Sequence, residues 1–134
     1  MTLQQCILIK AAELIKDSSK WVKGSWYGSR AANEGKMCML GAIGRAIEAE
    51  VGIPIWLQLS DPESAERCAR RHNLVDQVIE LIEPHVPHGR DKININGKRS
   101  RVVNFNDHTD TTHEEVCKVF CDAVKAKVVD KEDV

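Results

Sequence analysis

The segment from Cys38 to Val51 constrains the fold more than any other part of the sequence. Large apolar residues recur in it at helical spacing, and a second stripe of small residues lies beside them. Two glycines make it thinner still, although each costs a helix about 1 kcal/mol relative to alanine. Glycines in the interior of a helix indicate that the backbones of neighbouring elements pack closely against it. We therefore predict a central, mostly buried helix that ends at Gly52 and Pro54.

The length and charge of the chain indicate one ordinary domain. Its 134 residues suffice for a single hydrophobic core, and 19 basic residues nearly balance 20 acidic ones. A formal charge of -1 gives no overall field that favours nucleic acid or an anionic membrane. The sequence shows neither a long apolar run nor a charged-then-apolar leader, so we expect no membrane span and no signal peptide. We expect one helical domain over residues 1–128 and a flexible tail over residues 129–134.

The five cysteines are scattered through apolar helical patterns. An odd number in such positions favours reduced thiols in a cytoplasm over a disulfide framework. His113, Cys117 and Cys121 recur every four residues, so they share one helix stripe. A structural zinc site takes further ligands from a second element, which the sequence lacks. We therefore expect packing thiols here, with no metal and no other cofactor.

Three further helices are predicted around the central one. Each begins at a hydroxyl residue that is followed three positions later by Gln or Glu, which is the pattern of a capping box. In the second of them a proline also occupies the first turn. The three helices span about Leu3–Lys16, Ser60–Pro84, and Thr111 or Thr112 to Lys127. The predicted core face of the second consists of Ala65, Cys68, Ala69, His72, Val75, Ile79 and Ile82.

A small β-hairpin or irregular lip is predicted between residues 92 and 103. Asn96-Gly97 is the strongest short hairpin signal, and apolar pairs flank it, with Val102 and Val103 in the second arm. An isolated hairpin is marginal in water and needs to dock on a helix. The fold predicted overall is mainly α: a single domain of about four helices around a central Gly/Ala-rich helix, with this hairpin or lip.

Aromatic and basic residues together suggest a site for a flat anion. The segment from Lys20 to Lys36 lacks a sustained period and holds two tryptophans and the only tyrosine, which could stack on a ring beside an arginine. The alternative is that these tryptophans cover the core, that the basic lip is solvated, and that the Asn-Asp pair satisfies backbone donors in a turn. The candidate ligand-binding residues are Trp26, Tyr27, Arg30, Arg99, Arg101, Asn106 and Asp107.

Cys38 offers a second kind of chemistry. It stands at a helix N-terminus, where the helix dipole lowers the pKa of a thiol. A histidine and Asp107 could complete a Cys-His-Asp set. A buried cysteine within a stripe of small residues is more often a packing residue. We therefore lean against an enzyme.

Three short motifs together resemble a known family. They are Trp26-x-Gly28, Cys38-x-x-Gly41-Ala42, and Phe105-Asn106-Asp107 ahead of a Thr-started helix. This combination resembles a family of short proteins of unknown function found in bacteria and their phages. The resemblance spans most of the chain outside residues 84–101. It implies no reaction, substrate or catalytic residue, and only a phage or bacterial cytoplasm as the location.

We expect a non-enzymatic small-ligand-binding protein, encoded by a phage, that sequesters a nucleotide-like anionic ligand in the host cytoplasm. One alternative is an interaction module, an inhibitor or adaptor of a host protein, that forms a homo-oligomer. A second alternative is a hydrolase or transferase that uses Cys38. Nucleic acid is a poor candidate partner, because the chain after Gly52 makes a poor recognition helix.

Overall fold

A computed structural model describes residues 2–23, 36–53, 62–87, 89 and 98–132, with the backbone alone at 62, 99, 100 and 127–132. These residues form five α-helices: α1 (Leu3–Leu14), α2 (Met39–Val51), α3 (Pro62–Ile82), α4 (Lys98–Asp107) and α5 (His113–Glu132). Short 3-10 turns lie at Ser18–Lys20 and Glu83–His85. The predicted mainly α fold is confirmed, with one helix more than expected.

Local capping sets several of the helix ends. Thr2 Oγ1 accepts a hydrogen bond from the Gln5 backbone N–H at 3.1 Å, and Gln5 Oε1 accepts one from the Thr2 N–H at 2.8 Å. Thr112 and Glu115 form the same reciprocal pair at 3.2 and 3.0 Å. Gly52 ends α2 with a φ of 78°, a left-handed conformation that glycine adopts without strain. The start predicted at Thr2 and the stop predicted at Gly52 are confirmed, and of the two starts predicted for the last helix, Thr111 and Thr112, the structure shows Thr112.

The first half of α2 is buried around its whole circumference, whereas Ala49 and Glu50 in its last turn are exposed. Its first six residues, Met39 to Gly44, are all buried, and six residues exceed one helical turn. The small residues among them let neighbouring helices approach, and α2 packs mainly against α1, α3 and α4. The predicted central small-residue helix is confirmed.

The two halves of α3 differ in burial. The helix α3 packs on the other four helices, and its second half carries the core face. In the first half Ala65, Ala69 and His72 are exposed. The prediction that the core face begins at Ala65 was wrong, because alanine and histidine at helical spacing fit an exposed face as well as a buried one. The buried residues of α3 are Leu74, Val75, Val78, Ile79 and Ile82.

The helix α4 takes the place of the second hairpin arm. Val102 and Val103 lie in this helix, so the strand predicted for them was wrong. Val102 and Phe105 are fully buried at a spacing of three residues, which brings both to one helical face against α2 and α3. A strand would have turned these two side chains to opposite faces. The proposed turn at Asn96-Gly97 lies outside the described residues.

Candidate functional site

Asn106, in the last turn of α4, is a buried amide whose polar atoms are all bonded within the protein. Its side chain is 1% exposed. The Oδ1 atom accepts hydrogen bonds from Trp21 Nε1 at 2.7 Å and from the Met39 backbone N–H at 3.0 Å. The Nδ2 atom donates to the Val22 carbonyl at 3.3 Å and to Asp107 Oδ1 at 2.9 Å. These bonds use both lone pairs and both hydrogens of the amide, and we call this cluster the Asn106 junction.

The chain around Trp21 is held against the junction from two sides. Val22 N–H donates to the Met37 carbonyl at 3.2 Å, beside a parallel β-bridge between Trp21 and Met37. Lys23 Nζ donates to the His108 carbonyl at 2.6 Å and lies 5.9 Å from the centre of the Trp21 ring. The entry to α2 and the end of α4 are thereby joined through one short extended segment.

His113 connects the junction with α1 and α5. Its Nε2–H donates to the Ile15 carbonyl, with 2.6 Å between the heavy atoms. The imidazole ring lies 5.8 Å from the Trp21 ring, centre to centre, at an angle of 46°. Cys117 Sγ is 3.4 Å from the same nitrogen. Because Nε2 carries one hydrogen and the carbonyl is nearer, the Cys117 thiol is a packing neighbour of the ring.

Cys38 is a helix cap. Its Sγ atom accepts a hydrogen bond from the Gly41 N–H at 3.3 Å, and the residue is 7% exposed. Burial raises the pKa of the thiol, and the negative charge of Asp107 raises it further, whereas backbone N–H groups act in the opposite direction. Cys38 is therefore a protonated, packed thiol at neutral pH. This arrangement does not resemble an activated nucleophile.

Four of the predicted ligand-binding residues have no described side chain. Trp26, Tyr27 and Arg30 lie outside the described residues, between the two segments that meet at the Trp21–Met37 bridge. Arg99 lies in α4, where only its backbone is described.

Arg101 lies away from the other predicted site residues. Its Nε atom is 3.6 Å from Glu83 Oε1, and its Nη2 donates to the Val86 carbonyl at 3.3 Å. Five residues turn a helix by about 140°, so Arg101 and Asn106 face different neighbours. Asn106 and the exposed Asp107 lie next to each other and are joined by a hydrogen bond. Arg101 instead connects α4 with the chain that follows α3.

An apolar groove lies between α1 and α5, with a volume of about 420 Å³. We call it the α1/α5 groove. Its apolar wall is formed by residues one helical turn apart on each helix, and it is open to solvent. These residues are Ile9, Ala12, Cys117, Cys121 and Val124.

Three charged residues also line the α1/α5 groove: Glu13, Lys16 and Lys125. Within the described part of the chain, the side chains of these three form no hydrogen bond or ion pair with one another or with other residues. Their charged ends are exposed at the mouth, whereas the wall between them is apolar. The groove therefore combines an apolar wall with charged side chains that have no hydrogen-bond or ion-pair partner among the described residues.

A family model matches residues 2–126 of this chain. That family is DUF6197, a family of unknown function. The chain belongs to the DUF6197 family. The resemblance to a family of unknown function is thereby confirmed, whereas the phage origin stays a prediction. No curated protein and no solved structure matches the chain.

In this DUF6197 member the five cysteines are all free thiols. Across the residues that the structure describes, there is no group of three or more His, Cys, Asp or Glu side chains that could hold a metal ion. Nor is any described helix long and apolar enough to cross a membrane.

The α1/α5 groove was missed by reasoning from the sequence, although a signal was present. On α5, three residues that line the groove each directly follow a residue that is buried in the core. The apolar stripe of α5 is thus wider than its core contacts require, and the extra width is the groove wall. The core residues are Val116, Phe120 and Ala123, and the groove residues are Cys117, Cys121 and Val124.

Proposed function

We propose that this DUF6197 protein is a non-enzymatic binding protein for a small ligand, and that the ligand lies in the α1/α5 groove. The observation that carries the proposal is the groove itself, with its volume of about 420 Å³ and its mainly apolar wall. Small-molecule pockets in proteins have volumes of about 300–1,000 Å³, an apolar lining and a few polar groups at defined positions. The α1/α5 groove has all three properties.

Binding fits the side chains of the groove better than catalysis does. A catalytic site needs a nucleophile with an adjacent base, or an acid and base within reach of one substrate atom. Burial raises the pKa of the Cys117 thiol, which makes it a poorer nucleophile at neutral pH. The histidine beside it donates to the Ile15 carbonyl and so serves the fold.

The nucleotide-like ligand and the Trp26, Tyr27 and Arg30 segment form a separate part of the proposal. Stacking on those rings would hold a base, and the arginine would hold a phosphate. In a phage-encoded protein such binding would sequester the ligand in the host cytoplasm. The α1/α5 groove suits a different ligand, because its wall is aliphatic and sulfur-containing and holds no aromatic ring.

Direct binding of a neutral fluorescent probe tests the groove. N-phenyl-1-naphthylamine, which carries no charge, should bind and fluoresce in the wild type. Ala12→Phe fills the α1 wall and Cys121→Phe fills the α5 wall, and we expect each to weaken probe binding at least tenfold. Ala69→Phe is the matched control, because Ala69 is exposed on α3 and does not line the groove. Circular dichroism verifies that each variant is folded.

Four results decide between the interpretations. Tight probe binding by the wild type that both filling variants abolish supports the groove. No probe binding by the wild type, or equal binding by all four proteins, overturns it. Binding of nucleotides that the filling variants leave intact would instead place the ligand at the aromatic segment. If a protein partner is recovered with the wild type but not with the two filling variants, the interaction module is favoured over the small-ligand-binding protein.

A further inference from the structure

The distribution of charge along the α1/α5 groove indicates which kind of ligand it takes. The groove holds one carboxylate, Glu13, and two ammonium groups, Lys16 and Lys125. Among the described residues neither ammonium group is engaged in a hydrogen bond or an ion pair. A bound anion would therefore displace no existing partner.

The α1 side of the groove is close to neutral. Glu13 and Lys16 both line it and are three residues apart, a spacing that places two side chains side by side on a helical surface. The carboxylate of Glu13 offsets the charge of Lys16 for any ligand nearby. Lys16 alone is thus a weak attraction for an anion.

The α5 side carries an excess positive charge. Asp122 is the acidic residue nearest to Lys125 in sequence on α5, and its Oδ2 accepts a hydrogen bond from Lys118 Nζ at 2.7 Å. That bond, and more weakly the charges of Lys118, His85 and Lys125, lower the pKa of Asp122. Among the side chains that the structure describes here, one carboxylate thus faces two lysines, which leaves one positive charge at the Lys125 end.

The two ends of the groove are set apart by the geometry of the helices. His113, at the start of α5, contacts Ile15 at the end of α1, so Lys16 lies near the N-terminal end of α5. Lys125 is eight residues beyond Cys117, which is about 12 Å along a helix. An extended chain that starts at Lys125 can follow the apolar wall towards Cys117.

We propose that the ligand is a single-chain carboxylate amphiphile, with its carboxylate at Lys125 and its alkyl chain along the apolar wall of the α1/α5 groove. This inference rests on the proposed function and adds the chemical class of the ligand. An ammonium group pairs with a carboxylate, and the aliphatic and thiol side chains of the wall take the chain out of water.

Three ten-carbon compounds that differ only in the head group test this inference. Decanoate, decanol and decyltrimethylammonium, each below its micelle concentration, compete with N-phenyl-1-naphthylamine at fixed ionic strength. In the wild type we expect decanoate to displace the probe at a concentration at least tenfold below that of decyltrimethylammonium, with decanol between them. Lys125→Gln should remove the advantage of decanoate over decanol. Lys16→Gln, the matched control, should retain it.

The outcomes separate this inference from the proposed function. If decanol equals decanoate in the wild type, or if Lys16→Gln and Lys125→Gln act alike, the carboxylate assignment to Lys125 is overturned while the groove stands as a binding site. If the wild type does not bind the probe at all, the proposed function itself is overturned. If decanoate loses its advantage over decanol in Lys125→Gln but keeps it in Lys16→Gln, the inference is supported.

Discussion

The Asn106 junction and the α1/α5 groove lie on two sides of His113 and differ in how their polar groups are bonded. At the junction every polar atom of a buried amide is bonded to the protein. In the groove the wall is apolar, and the charged ends of Lys16 and Lys125 have no partner among the described residues. A buried polar group needs its partners for the fold to be stable. Exposed apolar surface beside uncommitted charge is typical of a binding site.

The largest effect is expected from Asn106→Leu. The substitution leaves the buried Met39 N–H and the half-buried Trp21 indole N–H without the acceptor that they share. Each unpaired buried donor costs about 1–3 kcal/mol, so the free energy of unfolding should fall by about 3 kcal/mol or more in urea titrations. Asn104→Ala, at a half-buried position of the same helix, is the control and should change it by less than about 0.5 kcal/mol. Equal losses in the two variants would contradict a structural role for the junction.

A smaller effect is expected from His113→Leu, at the contact between the two regions. The variant loses the hydrogen bond to the Ile15 carbonyl and the ring contact with Trp21. We expect a loss of about 1 kcal/mol in the free energy of unfolding, measured in urea. His72→Leu removes an exposed imidazole from α3 and serves as the comparison. If His72→Leu lowers the free energy of unfolding as much as His113→Leu does, the contacts of His113 between the junction and the groove do not stabilise the fold.

The buried thiol of Cys38 predicts a dependence of stability on alkaline pH. Burial raises its pKa above the ordinary 9.0, so the folded protein holds this proton more tightly than the unfolded chain does. The resulting stability is fully present below the unfolded pKa and is lost as pH rises through the folded pKa. Between pH 8 and pH 10 the wild type should lose more stability than Cys38→Ala in urea titrations. Parallel pH profiles for the two proteins would contradict this assignment.

The smallest effect is expected at the wall of the groove. Cys121 is exposed, so Cys121→Ser should change the free energy of unfolding by less than about 0.5 kcal/mol. Cys38→Ser exchanges a packed thiol for a hydroxyl at a buried helix cap and should cost more. Thermal unfolding of both variants measures the contrast. A loss in Cys121→Ser that matches the loss in Cys38→Ser would mean that the groove wall is part of the core.

The helices that were predicted correctly have signals confined to a few neighbouring residues. The reciprocal bonds of Thr2 with Gln5 and of Thr112 with Glu115 join residues three apart, so the sequence contains both partners. The hairpin failed for the opposite reason. Asn96-Gly97 is a strong local signal, but whether Val102 enters a strand or a helix depends on the neighbours that bury it, α2 and α3.

The candidate site was less predictable than the fold. Asn106 and Asp107 were predicted to bind a ligand, with a turn that satisfies backbone donors as the alternative. The structure shows that the amide of Asn106 is bonded entirely within the protein. The α1/α5 groove depends on two helices that are a hundred residues apart in the chain and leave a gap where they meet. Apolar periodicity within each helix reports how wide its apolar face is, and not which part of that face a partner covers.

By itself, the sequence determined the helical class, the caps of α1 and α5, the small-residue character of α2 and its stop at Gly52. These features follow from interactions within one or two helical turns. Only the tertiary structure decided the helix α4, the Asn106 junction and the α1/α5 groove. The partners that Asn106 binds in α2 and at Trp21 are 67 and 85 positions away, and contacts over such distances exist only once the chain has packed.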